Sequence, residues 1–122
     1  MAENIVINDC ELPIMKALWK KDGATSPEIF AGISGNKSTL KTLLSRLVER
    51  GAVRSEEINR RNYRYFAIVK ETDYIEEQRR SFLEKVFDGS AEKMLLNFVR
   101  EENISAEELR GLIDQITEGG QK

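Results

Sequence analysis

Apolar residues recur with helical spacing between Lys37 and Gly51. At 3.6 residues per turn, positions i, i+3, i+4, i+7 and i+8 fall on one face, and here they are Leu40, Leu43, Leu44, Leu47 and Val48. The centre of the opposite face is polar, with Ser38, Thr42, Ser45 and Glu49. Gly51 can adopt the left-handed conformation that ends a helix. The pattern predicts an amphipathic helix over 37–50 that docks by its leucines, and an ordinary surface helix would show the same pattern.

Start and stop signals predict two helices before this one. Asn8 and Glu11 have the spacing of a capping box, and the apolar stripe that follows predicts a helix from about Cys10 to Lys20, with Trp19 in the core. Ser26 as a cap and Pro27 in the first turn predict a short second helix that ends before 32–35. A short helix, a tight connection and a third amphipathic helix form the helix-turn-helix arrangement.

After Gly51 the pattern changes from helical to extended. The segments 52–56 and 63–69 carry β-branched and aromatic residues, and 58–62 between them has turn composition. We expect a β-hairpin with Arg60 and Arg61 at its tip. A hairpin directly after such a helix is the wing of a winged helix, where arginines can contact phosphates or enter a minor groove. A solvated hairpin tip also carries arginine.

Three further helices are predicted in the last part of the chain. Thr72 or Asp73 can cap a fourth helix, Ser90 begins a fifth, and Ser105 with Glu108 forms a capping box for a sixth. Three amphipathic helices of this length enclose little core on their own. We therefore expect a second copy to cover them in a two-fold dimer, although they can also fold back on the first domain.

The predicted fold class is mainly α with a small β-hairpin wing. An N-terminal winged helix-turn-helix domain spans 1–71, and a C-terminal three-helix dimerisation region spans 72–122. No run of 18 apolar residues and no signal-peptide pattern occurs in the sequence. We therefore expect a cytoplasmic protein without membrane contact.

Charge is distributed unevenly along the 122 residues, whose formal net charge is −2. Residues 1–70 contain 12 basic and 8 acidic side chains, a net charge of +4, whereas residues 71–122 contain 7 and 13, a net charge of −6. A basic first part predicts a polyanionic partner for that end of the molecule.

Composition excludes several kinds of chemistry. Cys10 is the only cysteine and histidine is absent, which excludes an internal disulfide, a Cys/His zinc site and a Ser-His or Cys-His pair. The carboxylates are scattered along helix faces, and no phosphate-binding glycine loop is present. We expect no enzymatic activity, no cofactor and no metal.

Short hydroxyls and cations are the groups that read base edges and hold phosphates. This chemistry makes the outer face of helix 37–50 and the hairpin tip a candidate surface for double-stranded DNA. The candidates are Ser38, Lys41, Thr42, Ser45, Arg46, Arg60 and Arg61. The alternative is a winged-helix module that contacts another protein and does not bind DNA specifically.

The sequence also resembles a known family. The segments 11–19 (ELPIMKALW) and 38–51 (STLKTLLSRLVERG), followed by 73–76, 81–83, 87–89 and 96–98, are similar to the penicillinase-repressor (BlaI/MecI) family and its copper-responsive relatives. The resemblance implies a winged-helix repressor that dimerises through its C-terminal helices. Its operators would be inverted repeats, commonly with TACA and TGTA half-sites. The resemblance adds Thr39 to the helix residues, and it matches Arg61, Tyr63 and Tyr65 to the wing.

The β-lactam-responsive branch of that family adds a further expectation. There, the signal of a membrane sensor leads to cleavage of an Asn-Phe bond by a sensor-linked protease, and Asn97-Phe98 matches that bond. Phe98 as a core residue, with Asn97 as its exposed neighbour, explains the pair equally simply. The clustered C-terminal cysteines of the copper-responsive branch are missing here. Arg60 also stands where the wing often has glycine, so the resemblance leaves the operator sequence open.

Overall fold

The computed structural model describes residues 5–119 of the chain. A short 3-10 turn, Asp9–Glu11, precedes α1, and the described residues form six α-helices and one two-stranded antiparallel sheet. The elements are α1 Leu12–Trp19, α2 Ser26–Phe30, α3 Lys37–Glu49, β1 Val53–Asn59, β2 Asn62–Ala67, α4 Glu71–Phe87, α5 Ala91–Glu101 and α6 Ala106–Gly119. The predicted class, mainly helical with one hairpin, is confirmed.

The chain divides into two compact units, Met1–Ile75 and Glu76–Lys122. The core of the first unit is built from the inner faces of α1, α2 and α3 and the base of the hairpin. Its buried apolar residues are Ile7, Ile14, Met15, Leu18, Ala24, Ile29, Leu40, Leu43, Leu44, Leu47, Ala52 and Val53. The predicted leucine stripe of α3 is therefore confirmed, with Val48 partly buried at its edge.

The hairpin is joined to the helices through backbone hydrogen bonds. Ala24, in the connection after α1, exchanges two of them with Tyr65, at 3.0 and 2.8 Å. The indole Nε1 of Trp19 donates to the carbonyl of Val69 at 2.9 Å, and its ring lies 5.5 Å from that of Tyr74. Trp19 is only partly buried, at the edge of the core. These contacts hold the second half of β2, and the residues that follow it, against α1 and the connection after α1.

Three predicted boundaries differ from the structure. Thr25, and not Ser26, is the N-cap of α2, because Glu28 accepts a hydrogen bond from the Thr25 N–H at 2.9 Å. The helix α4 begins at Glu71, before the expected caps Thr72 and Asp73. The hairpin turn is shorter than 58–62, since residues up to Asn59 still pair across the sheet.

The second unit has no buried side chain among its described residues. Three phenylalanine rings cluster within it. The ring centre of Phe82 lies 5.7 Å from that of Phe87 and 6.5 Å from that of Phe98, and the ring centres of Phe87 and Phe98 are 6.2 Å apart. Large apolar side chains stay exposed along its helices: Phe82, Val86, Leu95, Leu96, Phe98, Leu112, Ile113 and Ile116. Within residues 5–119, no helix has the length and apolar character needed to cross a membrane.

Gly23 offers a test of how the hairpin packs on the helices. A Cβ atom at this position would lie 2.6 Å from the Phe66 ring. The backbone φ of Gly23 is +96°, a value that residues with a side chain rarely adopt. We expect Gly23→Ala to lower the free energy of unfolding by about 1–3 kcal/mol, measured by denaturant titration.

Gly32→Ala is the matched control, because a Cβ there meets no atom within 4 Å. This variant should stay within about 0.5 kcal/mol of the wild type. Equal stabilities for the two variants would contradict the packing described for Phe66.

Candidate nucleic-acid interface

The helix α3 is defined at both ends by local interactions. Asn36 is its N-cap, and the side-chain Oδ1 accepts a hydrogen bond from the Ser38 N–H at 2.8 Å. At the other end the Arg50 N–H donates to the Arg46 carbonyl at 3.0 Å, and Gly51 follows with φ +85°. The helix therefore starts and stops where the sequence predicted, within one residue.

The polar face of α3 is open to solvent. All six predicted residues on this helix are exposed: Ser38, Thr39, Lys41, Thr42, Ser45 and Arg46. The hydroxyl of Thr42 donates to the Ser38 carbonyl at 3.1 Å, so its lone pairs remain free to accept. Lys41 and Lys37 also line a shallow cavity of about 360 Å³ beside α2.

The cations of this surface form no ion pair within the described part of the chain. In the part of the chain that the structure describes, no carboxylate lies within 4.0 Å of Lys37, Lys41 or Arg46. Glu28 on α2 is paired instead with Lys21 at 3.8 Å, and the hydrogen bond from the Thr25 N–H, together with Lys21, lowers the pKa of that glutamate. The α3 cations are therefore available to an external anion.

The hairpin presents a second set of cations. Arg60 and Arg61 form the exposed connection between β1 and β2, and Arg61 has φ +70°. The Asn62 amide donates to the Asn59 side chain at 2.6 Å and braces this turn. Tyr63 beside it is 41% exposed.

The base of the hairpin is more enclosed than its tip. Tyr65 is partly buried there, and burial raises the pKa of its phenol, with a smaller contribution from Tyr63. The guanidinium of Arg54 lies 4.2 Å from the centre of the Phe66 ring, a cation-π contact. The tip arginines, in contrast, have no ion-pair partner among residues 5–119.

The helix and the hairpin are connected through Ala52, which is fully buried. Its N–H donates to the Leu47 carbonyl at 2.9 Å, and its carbonyl accepts from the N–H groups of Ile68 and Val69 at 2.8 and 3.2 Å. Because one residue bonds to the last turn of α3 and to the two residues that follow β2, the two cationic elements are joined in one hydrogen-bonded framework.

One interaction of this framework was missed by the sequence analysis. The carboxylate of Glu11 is 0% exposed and accepts hydrogen bonds from the Asn8 N–H, at 3.0 Å, and from the guanidinium of Arg50. The capping-box pattern predicted only the local bond to Asn8. Arg50 is 39 residues further along the chain, and no local pattern links two residues at that separation.

Comparison with known families gives a clear result. The family model described as "Penicillinase repressor" matches residues 7–118, nearly the whole chain. The chain belongs to the penicillinase repressor family.

Named relatives match over most of their length. The chain is 32% identical over 116 residues to the penicillinase repressor of Bacillus licheniformis, covering 92% of this chain and 90% of the relative. It is 29% identical over 110 residues to the methicillin resistance regulatory protein MecI of Staphylococcus aureus (strain N315), covering 87% and 89%. Members of this family are transcriptional repressors and not enzymes, which agrees with the expectation from composition.

A solved structure supports the fold of the DNA-binding part. This repressor superposes on the solution structure of the DNA binding domain of the repressor BlaI with a TM-score of 0.52 and 28% identity, covering 61% of this chain and 94% of that one. The predicted winged-helix fold is confirmed, and DNA is the partner that family and fold indicate. The assignment of individual residues to DNA contacts stays a prediction.

Proposed function

We propose that this repressor binds an inverted-repeat operator as a homodimer, with α3 in the major groove and the hairpin as a wing on the adjacent DNA. One observation carries the proposal: α3 buries its leucines and leaves its hydroxyls and unpaired cations exposed on the other face. The net charge of +4 over residues 1–70 supports an anionic ligand for this domain.

The chemistry of the exposed side chains suggests which of them contact bases and which contact the DNA backbone. Arg46 carries a forked guanidinium, the group best suited to two acceptors of a guanine. The hydroxyls of Ser38, Thr39, Thr42 and Ser45 are short enough to approach other base edges or phosphates. Lys41 and the wing residues Arg60, Arg61 and Tyr63 are proposed to contact the sugar-phosphate backbone.

The homodimer is proposed from the second unit. Its exposed apolar side chains include Ile116, at 69% exposure, together with Leu112 and Ile113 on the same helix. Removing apolar surface from water lowers the free energy by about 25 cal/mol for each Å² buried. We therefore propose that residues 72–122 of a second copy bury this surface in a dimer interface. Two identical copies related by a two-fold axis would match the two halves of an inverted repeat.

Relief of repression by cleavage between Asn97 and Phe98 is the second part of the proposal. The bond lies inside α5, and the Phe98 ring packs against Phe82 and Phe87. Nicking favours exposed, irregular segments, so a sensor-linked protease would act on a locally opened α5. Cleavage there would separate α6 from the rest of the chain and remove part of the proposed dimer surface.

Removal of a single cation tests the DNA-binding face. We expect Arg46→Ala to weaken operator binding about 10- to 100-fold and to relax preference at one base pair. Lys41→Ala should weaken binding to all sequences and reduce the slope of log affinity against log salt by about one. Fluorescence anisotropy with the chain's own upstream DNA measures both effects.

Lys16→Ala removes the same charge from an exposed position on α1 and serves as the control. Its affinity should stay close to that of the wild type. Wild-type affinity for both α3 variants at moderate salt would contradict the proposed face, and a wild type that ignores the upstream DNA would favour a protein-contact module.

A charged residue on α6 tests the dimer. We expect Ile116→Glu to shift the protein from dimer to monomer in sedimentation velocity, because a buried carboxylate without a partner is strongly disfavoured. Gln115→Glu adds the same charge at the neighbouring exposed position and should remain dimeric. Identical sedimentation of the two variants would place the dimer interface elsewhere.

Cleavage is tested in the native cells. After exposure to a β-lactam, we expect mass spectrometry to find one fragment that ends at Asn97 and one that begins at Phe98. Untreated cells provide the control and should contain the intact chain. Release of the repressed genes while the chain remains intact would show that another signal relieves repression.

A further inference from the structure

An ion pair between the buried Glu11 and the partly exposed Arg50 joins the start of α1 to the end of α3. Glu11 is fully buried, and its second oxygen, Oε2, has no hydrogen-bond partner in the described part of the chain. The Arg50 side chain is 33% exposed. Burial of a carboxylate has a desolvation cost that an ion pair often does not offset in full, so stability alone does not explain its presence.

We propose that Glu11 is a positioning residue for operator recognition, which sets the orientation of the last turn of α3 through Arg50. The inference rests on the proposed role of α3 as the recognition helix. Glu11 has no exposed surface with which to touch DNA, so any effect on DNA binding must pass through the protein. Arg50 connects Glu11 to the DNA-facing side of the helix directly, because the Arg50 N–H donates to the carbonyl of Arg46.

Other contacts at the same end of α3 fit this role. An added Cβ at Gly51 would lie 3.8 Å from the Ile5 side chain, and Ile7 is buried in the core. The N-terminal segment 5–11 therefore packs beside the end of α3 and supplies the carboxylate that holds it. The start of the helix, in contrast, is capped locally by Asn36.

Base readout and phosphate contact differ in how much misplacement they tolerate. Directed hydrogen bonds require side chains placed within about 0.5 Å, whereas the attraction between cations and phosphates depends little on sequence or orientation. Loss of the Glu11 charge should therefore reduce discrimination between the operator and other DNA more than it reduces affinity for DNA in general.

Glu11→Gln tests the inference against a matched control, Glu28→Gln. Both residues are the N3 glutamates of capping boxes and both form an ion pair, but Glu28 is paired with Lys21 and not with α3. The readout is the ratio of affinities for the upstream operator and for a scrambled duplex, at a temperature where circular dichroism shows every variant folded. We expect Glu11→Gln to lower this ratio at least tenfold and Glu28→Gln to leave it unchanged.

Two further variants complete the test. Arg50→Lys retains the positive charge beside Glu11, so its ratio of operator to scrambled-duplex affinity should lie between that of the wild type and that of Glu11→Gln. Should Glu11→Gln fail to fold, the double variant Glu11→Gln/Arg50→Gln removes both charges together and should show the same loss of discrimination. An unchanged ratio in the folded variants would overturn the inference, whereas a wild type with no operator preference would instead overturn the proposed function.

Discussion

Burial of the leucine stripe of α3 is the interaction on which the rest of the structure depends. Leu40, Leu43, Leu44 and Leu47 are all buried against the core of the first unit, and each fully buried leucine contributes about 1.5–3 kcal/mol relative to an exposed one. Because the four side chains occupy one face, their burial fixes the rotation of the helix about its axis. The same burial therefore determines which hydroxyls and cations face outward.

The two units differ in how much of their apolar surface is buried. In the first unit, the apolar faces of the helices and of the hairpin base bury one another. In the second, amphipathic helices leave large apolar side chains exposed, and no described side chain is buried. The net charge of −6 over residues 71–122 also disfavours contact of this region with a polyanion. Apolar exposure together with a negative net charge favours association with protein over nucleic acid, which supports a second copy as the partner.

How much could be predicted from the sequence depended on the range of each interaction. The leucine stripe, the Asn8–Glu11 capping box and the position of Arg60 and Arg61 depend on residues a few positions apart, and all three were predicted. The cap of α2 was wrong by one residue, although the spacing of Thr25 and Glu28 carried the correct signal. The Glu11–Arg50 pair was missed because it depends on how α1 and α3 pack. Exposure of the α3 face was predicted, but the base that each side chain contacts depends on DNA geometry that the chain does not encode locally.

Affinity and specificity have separate physical sources in the proposed mechanism. There, the exposed cations would provide affinity that falls with salt and depends little on the orientation of α3, whereas sequence preference would depend on the exact position of α3 and on the Glu11–Arg50 pair at its end. The proposed dimer would increase both, because binding of one half-site would raise the effective concentration of the second domain at the other half-site. Cleavage within α5 would remove that gain without altering any residue of the first unit. A signal received in the C-terminal helices would thus release DNA by weakening the link between two intact binding domains.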